Sequence, residues 1–175
     1  MKKTIWNEIQ NQKFSGLFKQ LDLIIINFGD PIRYSLHIGC AVRICQGKRI
    51  IFNVSDEFFD QNGLPKSDRV YEQLESEGYI NDPCSLLSKN IELVNGFLKE
   101  QRAKKVKVSE WKDLLIDFDN GIEIQIMPDC LQKDFEYYRI IKFVPQYSDD
   151  PQNYISIHYV VKNDRGEPVL EQEGF

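Results

Sequence analysis

Along this chain the apolar positions form short alternating rows more often than helical stripes. The clearest row spans 33–45, with Tyr34, Leu36, Ile38, Cys40, Val42 and Ile44 at even positions and Arg33, Ser35, His37, Gly39, Ala41 and Arg43 at odd ones. A period of two sends the two sets to opposite faces of a strand. The even set is therefore expected in the core and the odd set outside it. Gln46-Gly47-Lys48 reads as a hairpin turn into a returning strand over 49–54. Segments 17–20 and 22–28 also read as β-structure, as do roughly 106–109, 112–118, 122–127, 137–144 and 154–161. Helical spacing is rarer. Thr4 can cap a first helix carrying Ile5, Trp6 and Ile9, and a short helix is expected around 68–77. The strongest helix opens at Asp82-Pro83 and continues through Leu87, Ile91, Val94 and Leu98. Residues 55–67, with Asn62-Gly63 and Pro65, read as a loop, and the acidic tail 167–175 as loosely held.

One pattern occurs twice. Ile24-Ile25-Ile26-Asn27-Phe28, a turn at Gly29-Asp30-Pro31 and a run from Ile32 to Arg43 are matched by Leu114-Leu115-Ile116-Asp117-Phe118, a turn at Asp119-Asn120-Gly121 and a run from Ile122. The second copy ends at Arg139-Ile140 as the first ends at Arg43-Ile44. The expected fold is α+β: a mostly antiparallel β-sheet built from two related strand–turn–strand halves, with two or three packed helices. The expected organisation is a single domain over 1–175 with halves at about 1–98 and 106–161. Phe28 is expected to correspond to Phe118, and Ile32 to Ile122.

Composition narrows the function classes. The 175 residues are 42% hydrophobic and 28% charged, an ordinary globular balance. A net charge of −5 disfavours broad contact with phosphate backbones and permits a basic protein partner. Lys99, Arg102, Lys104, Lys105 and Lys107 form the one basic run, which a solvated helix end explains. The N-terminus lacks the apolar stretch of a signal peptide, and no apolar run is long enough for a membrane helix. Cys40, Cys45, Cys84 and Cys130 include no C-x-x-C pair. The expectation is a cytoplasmic protein with reduced thiols, no metal and no cofactor.

Leu36-His37-Ile38 followed by Arg43, then Asp56 beyond a hairpin, and later Glu136-Tyr137-Tyr138-Arg139, resemble a group of uncharacterised small bacterial proteins. In that group an L-H-I…R strand comes first and an E-x-x-R strand late, with Trp where this chain has Tyr138. The resemblance covers about 5–161. It implies no established activity, and through small acidic relatives it implies an immunity protein that neutralises a toxin.

Two sets of residues are candidates for function. His37 and Arg43 share the odd face of the 33–45 row with small Gly39 and Ala41 between them, and Asp56 is expected near Arg43. That set would suit a small-molecule or enzymatic site, since His carries protons near neutral pH and Arg binds anions. A solvated sheet face with one Arg–Asp pair is the simpler reading. Arg139 is expected to repeat the part of Arg43, and Glu136, three residues earlier, should point to the opposite face. A Ser156–His158–Asp149 triad has no supporting motif. The second set lies in 56–82, where Asp56, Asp60, Glu72 and Glu75 surround Phe58, Phe59 and Tyr79. Carboxylates steer a basic partner and aromatics anchor it. A non-catalytic protein-binding domain is thus the favoured class, with the small-molecule or enzymatic domain on the His37/Arg43 face as the alternative.

Overall fold

The computed structural model describes residues 4–67, 82, 84–129, 132, 134–145, 154–164 and 167–174. The chain begins with helix α1 (Ile5–Ile9), followed by strands β1 (Phe14–Gln20), β2 (Leu23–Phe28), β3 (Tyr34–Ile38), β4 (Ala41–Gln46) and β5 (Arg49–Asn53). A 3-10 turn (Val54–Phe58) and helix α2 (Leu86–Leu98) come next. The second half supplies β6 (Ala103–Val108), β7 (Leu114–Phe118), β8 (Ile122–Met127), β9 (Glu136–Pro145), β10 (Tyr154–Asp164) and β11 (Glu167–Gly174). The strands form two antiparallel sheets, a six-stranded one in the order β1-β2-β3-β9-β10-β11 and a five-stranded one in the order β5-β4-β8-β7-β6. The fold is α+β, as the alternating rows imply. It has two sheets where one was expected.

The second sheet comes from a break in the 33–45 row. Gly39 and Cys40 leave the strand conformation, and the chain passes from β3 in one sheet to β4 in the other. The even residues Leu36, Ile38, Val42 and Ile44 all stay buried, because the inner faces of both sheets point into one core. Alternation fixes which side chains face inward, but it cannot tell one long strand from two strands that change sheets. Tyr34 is buried and Arg33 exposed, as the row predicts. Ser35 departs from it: it is 5% exposed although its side chain is on the outer face.

The repeat is real at the level of topology and register. In each half a helix precedes a three-stranded meander, β1-β2-β3 or β6-β7-β8, and the next strand crosses to pair with the other half's meander. β9 adds to β3 and β4 adds to β8. Phe28 faces Phe14 just before a register shift in β1, and Phe118 faces Ala103 just before the matching shift in β6. The equivalence of Phe28 and Phe118 therefore holds in the ladders. Ile32 does not correspond to Ile122. Leu36 pairs with Ile26, and Ile124 with Ile116, so position 34 is the counterpart of 122. The turn of the first half is longer by two residues, which leaves Ile32 exposed in the turn while Ile122 is buried in β8.

The helices seal the sides of the sandwich. α2 packs against β1 and β5, the neighbouring edges of the two sheets. α1 packs against β6, and Trp6 meets Tyr138 edge-on at 6.1 Å. Ile5, Ile9, Leu87, Val94 and Leu98 go into the shared core. Two helix starts differ from expectation. Thr4 has the extended backbone of a cap, but its side chain makes no capping bond. α2 is capped by Ser85, whose Oγ accepts from Ser88 N–H at 3.0 Å, and Asp82 instead bonds Cys84 N–H in the preceding turn. The tail is not loose over 167–174, where it forms β11 along β10. The helix expected at 68–77 lies outside the described residues. Among the described residues, no helix is long and apolar enough to cross a membrane.

Candidate functional site

The break at Gly39–Cys40 separates the first candidate pair. His37 lies on β3 and Arg43 on β4, in different sheets, so they share no face. Arg43 bonds Gln125 directly opposite on β8. Asp56 does not meet Arg43 in any described contact. Its carboxylate accepts from Asn53 N–H at 2.9 Å, closing a capping box on the 3-10 turn, and from Asn90 Nδ2 at 2.8 Å. The small His37/Arg43/Asp56 site is therefore not assembled.

The ladders give His37 a different arginine. It stands directly opposite Arg139 on β9, the register equivalent of Arg43 opposite Gln125. Arg139 is bonded twice by Glu136, at 2.8 and 2.7 Å, and its Nη1 meets His158 Nδ1 at 2.7 Å. Glu136 was expected on the opposite face. It begins β9 at a register irregularity opposite Val161 and Lys162, where strict alternation lapses. The two histidines of the chain thus flank one arginine on the outer face of the six-stranded sheet. Each contacts the serine two residues before it, His37 Nε2 to Ser35 Oγ at 3.0 Å and His158 Nε2 to Ser156 Oγ at 3.2 Å.

These Ser–His contacts do not make a nucleophile and base. A guanidinium can only donate, so His158 Nδ1 must accept and the ring proton is assigned to Nε2. Nε2–H then donates to Ser156 and cannot take its proton. A serine hydrolase triad needs the reverse tautomer, held by a carboxylate on Nδ1. Ser35 is too buried to meet a substrate. His37 has its pKa lowered, first by burial and then by the charge of Arg139, with Glu136 opposing, so its neutral form is favoured. Next to Ser35 in the ladder, Asn27 keeps a buried Oδ1 with no hydrogen-bond partner among the described residues. Among the described residues no three His, Cys, Asp or Glu side chains gather as metal ligands would.

The second candidate set is partly described. Phe58 is 59% exposed, Phe59 is half-buried, and Asp60 closes a tight turn. Asp60 Oδ1 accepts from Asn62 N–H at 2.8 Å and Leu64 N–H at 2.9 Å, and these backbone donors hold its pKa below the usual carboxylate value. Lys66 N–H returns to Phe58 O at 3.0 Å, and Leu86 N–H to Phe59 O at 2.9 Å. The carboxylates of this loop are thus committed internally, since Glu57 also pairs with Lys19 of β1. The loop's exposed large apolar side chains are Phe58 and Leu64. Glu72, Glu75 and Tyr79 lie outside the described residues.

The register shows where Phe58 sits. The β1–β2 turn, the β3-to-β4 crossing, the end of β5 and the β6–β7 turn all fall at one end of the sandwich. Two further large apolar side chains are exposed on those turns, Leu21 at 58% and Trp111 at 65%. The Trp111 turn is tightly held. Ser109 Oγ bonds Asp113 N–H at 3.0 Å, Lys112 N–H bonds Ser109 O at 3.1 Å, and buried Tyr138 donates its hydroxyl to Lys112 O at 2.6 Å. Sequence reasoning missed Trp111. The available signal was a tryptophan inside the polar turn Ser109-Glu110-Trp111-Lys112-Asp113, with polar residues at both positions two away.

No protein-family model, no curated protein and no solved structure matches this chain.

Proposed function

We propose that this chain is a non-catalytic protein-binding domain whose binding surface is the end of the sandwich bearing Leu21, Phe58 and Trp111. One observation carries the reading: three exposed large apolar side chains sit on separate hydrogen-bonded turns at the same end of the fold. Tryptophan and other aromatic anchors supply most of the binding energy of protein interfaces, and turns fixed in advance lower the ordering cost of association. Two exposed acidic side chains on the same turns, Asp22 and Glu110, together with the net charge of −5, suit a basic partner. In its sharpest form the domain is a bacterial, cytoplasmic immunity protein that neutralises a basic toxin. The internally satisfied Arg139 and the unsuitable tautomer of His158 weigh against a hydrolytic role for the outer face.

The experiment is co-expression with the products of adjacent genes, followed by co-purification and, for a toxic neighbour, growth rescue. Phe58→Ser and Trp111→Ser should each weaken a captured complex by roughly thirty-fold, the weight of a hot-spot residue. Both side chains are largely solvated in the free chain, so the variants should fold. A neighbouring protein that binds the double variant as tightly as the wild type would refute the surface. Finding no neighbouring protein that binds would refute the immunity reading.

A further inference from the structure

We propose that Tyr138 is a positioning residue for the surface that bears Trp111: its hydroxyl, reaching from the six-stranded sheet, fixes the β6–β7 turn of the other sheet and so holds Trp111 in place before a partner arrives. This rests on the reading of that end as a binding surface. Tyr138 lies on the inner face of β9 and is 1% exposed. Buried Ile38 of β3 and Val161 of β10 flank it in the ladders, and Trp6 of α1 meets its ring edge-on at 6.1 Å. Packing therefore fixes the direction of the ring, and the hydroxyl it aims donates to Lys112 O at 2.6 Å. Lys112 directly follows Trp111 and has a φ of +63°. The bond thus ties the peptide unit after the tryptophan to the opposite sheet. Burial, and after it the nearby Cys40 and Asp113, raise the phenol pKa, so the hydroxyl keeps its proton and stays a donor.

Folding alone does not ask for this bond. The turn closes on itself, with Ser109 N–H donating to Asp113 O at 3.0 Å and Lys112 N–H to Ser109 O at 3.1 Å. Turn carbonyls ordinarily bond water. Nor does the core require a hydroxyl at this place, which phenylalanine would fill. The repeat makes the comparison within the chain. Tyr138 stands opposite Ile38 and Val42 opposite Ile126, and Ile38 and Ile126 are equivalent in the two meanders. Val42 has no donor to offer, and the β1–β2 turn carries no tryptophan. The bond occurs in the half whose turn presents Trp111. What it adds is order beneath a side chain that is 65% exposed. An anchor already held in its bound orientation loses less freedom on association, so affinity rises without any new contact to the partner.

The test is Tyr138→Phe in the full chain, which removes one oxygen and keeps the ring. In ¹⁵N relaxation the amides of Glu110, Trp111, Lys112 and Asp113 and the Trp111 indole N–H should lose order. Exchange of the Lys112 and Asp113 amides should quicken by roughly two- to tenfold, the worth of one hydrogen bond. The β1–β2 turn should not change. A purely structural role would instead lower the urea midpoint and leave the order of 109–113 as in the wild type, and that result would overturn the proposal. One measurement needs no variant: in the wild type the Tyr138 hydroxyl proton should be visible, with Overhauser contacts to the Lys112–Asp113 peptide. A hydroxyl proton lost to rapid exchange with water would also overturn it. Against a captured neighbouring protein, Tyr138→Phe should weaken binding by roughly two- to tenfold, less than Trp111→Ser. Weak binding by Trp111→Ser with unchanged binding by Tyr138→Phe would refute the positioning role alone. Unchanged binding by both would refute the surface itself.

Discussion

Replacing Asn95 by alanine tests whether the exposed edge of β1 is held by a side chain. The carboxamide makes two bonds of 2.8 Å to the backbone of Leu17, a residue 2% exposed at the sandwich edge. Losing both leaves a buried N–H and a buried C=O. Each costs about 1–2 kcal/mol where water enters only partly, and about 3 kcal/mol at most. Alanine is the better helix former by about 0.5 kcal/mol, which offsets a little of that. The expected loss is about 1.5–3.5 kcal/mol, a large share of the ~5–15 kcal/mol that stabilises a typical domain. Urea unfolding followed by far-UV circular dichroism should show a lower midpoint with an unchanged slope, because the folded and unfolded surfaces barely differ. Hydrogen exchange should show the Leu17 amide losing protection before the amides of β2. Asn95→Asp separates the two bonds, since the carboxylate still accepts from Leu17 N–H but faces Leu17 O without a proton. Its loss should therefore shrink in acid, where a protonated carboxyl can donate again. A loss below about 0.5 kcal/mol for Asn95→Ala would refute the argument, because it would mean that water or a neighbour replaces both bonds at little cost.

Three further outcomes are expected. His37 has a folded pKa below its ordinary 6.5, so the unfolded chain binds the proton more readily; stability should be full above that pH, fall as pH drops through it, and level off below the folded value. His37→Gln should flatten that part of the stability–pH curve, and an unchanged curve would show that His37 does not contribute. Gly29→Ala should destabilise by about 1–3 kcal/mol or more, because φ is +101° and a Cβ would meet Pro31 O at 2.8 Å and Arg33 N at 2.9 Å. Gly121→Ala in the matching turn has φ +76° and an empty neighbourhood, so thermal melts should rank it clearly milder. Leu36→Ala should cost about 2–5 kcal/mol in urea unfolding, since the side chain is fully buried between the sheets.

The sequence made the strands, their inward faces and the repeat legible, because all three are written in a period of two and in turn residues. Leu36, Ile38, Val42 and Ile44 point inward whether the row is one strand or two, so the pattern could not reveal the sheet change at Gly39–Cys40. That one ambiguity misplaced the His37/Arg43 site. The equivalence of Arg43 and Arg139 was readable from the repeat, but their partners were not. Partners across a ladder depend on which strands become neighbours, and β3 finds β9, about a hundred residues further on. Asp56 and Asp60 looked like steering charges because composition records charge alone. Their lone pairs are taken by backbone N–H groups within a few residues, the local competition typical of Asp in turns.

The repeat also suggests where function should be sought. Positions that match between halves, such as Phe28 with Phe118 and Leu36 with Ile124, are the ones the shared core requires. A feature needed only for folding should appear in both halves. His37 has Gln125 as its counterpart and Ser35 has Glu123, so the outer face of the six-stranded sheet has diverged from that of the five-stranded sheet although their inner faces remain alike. The turns of the first hairpins have diverged as well. Leu21 and Lys112 both adopt positive φ at their tips, yet only the second turn carries a tryptophan. β11 has no described counterpart in the five-stranded sheet. Architecture alone asks for none of these differences, and one of the three, the Trp111 turn, coincides with the surface assigned to a partner. Exchanging Trp111 for leucine would make the two tips alike and leave the core untouched. If the hairpin tips serve only the fold, that variant should behave as wild type in every assay; if they bind a partner, it should fold normally and lose affinity.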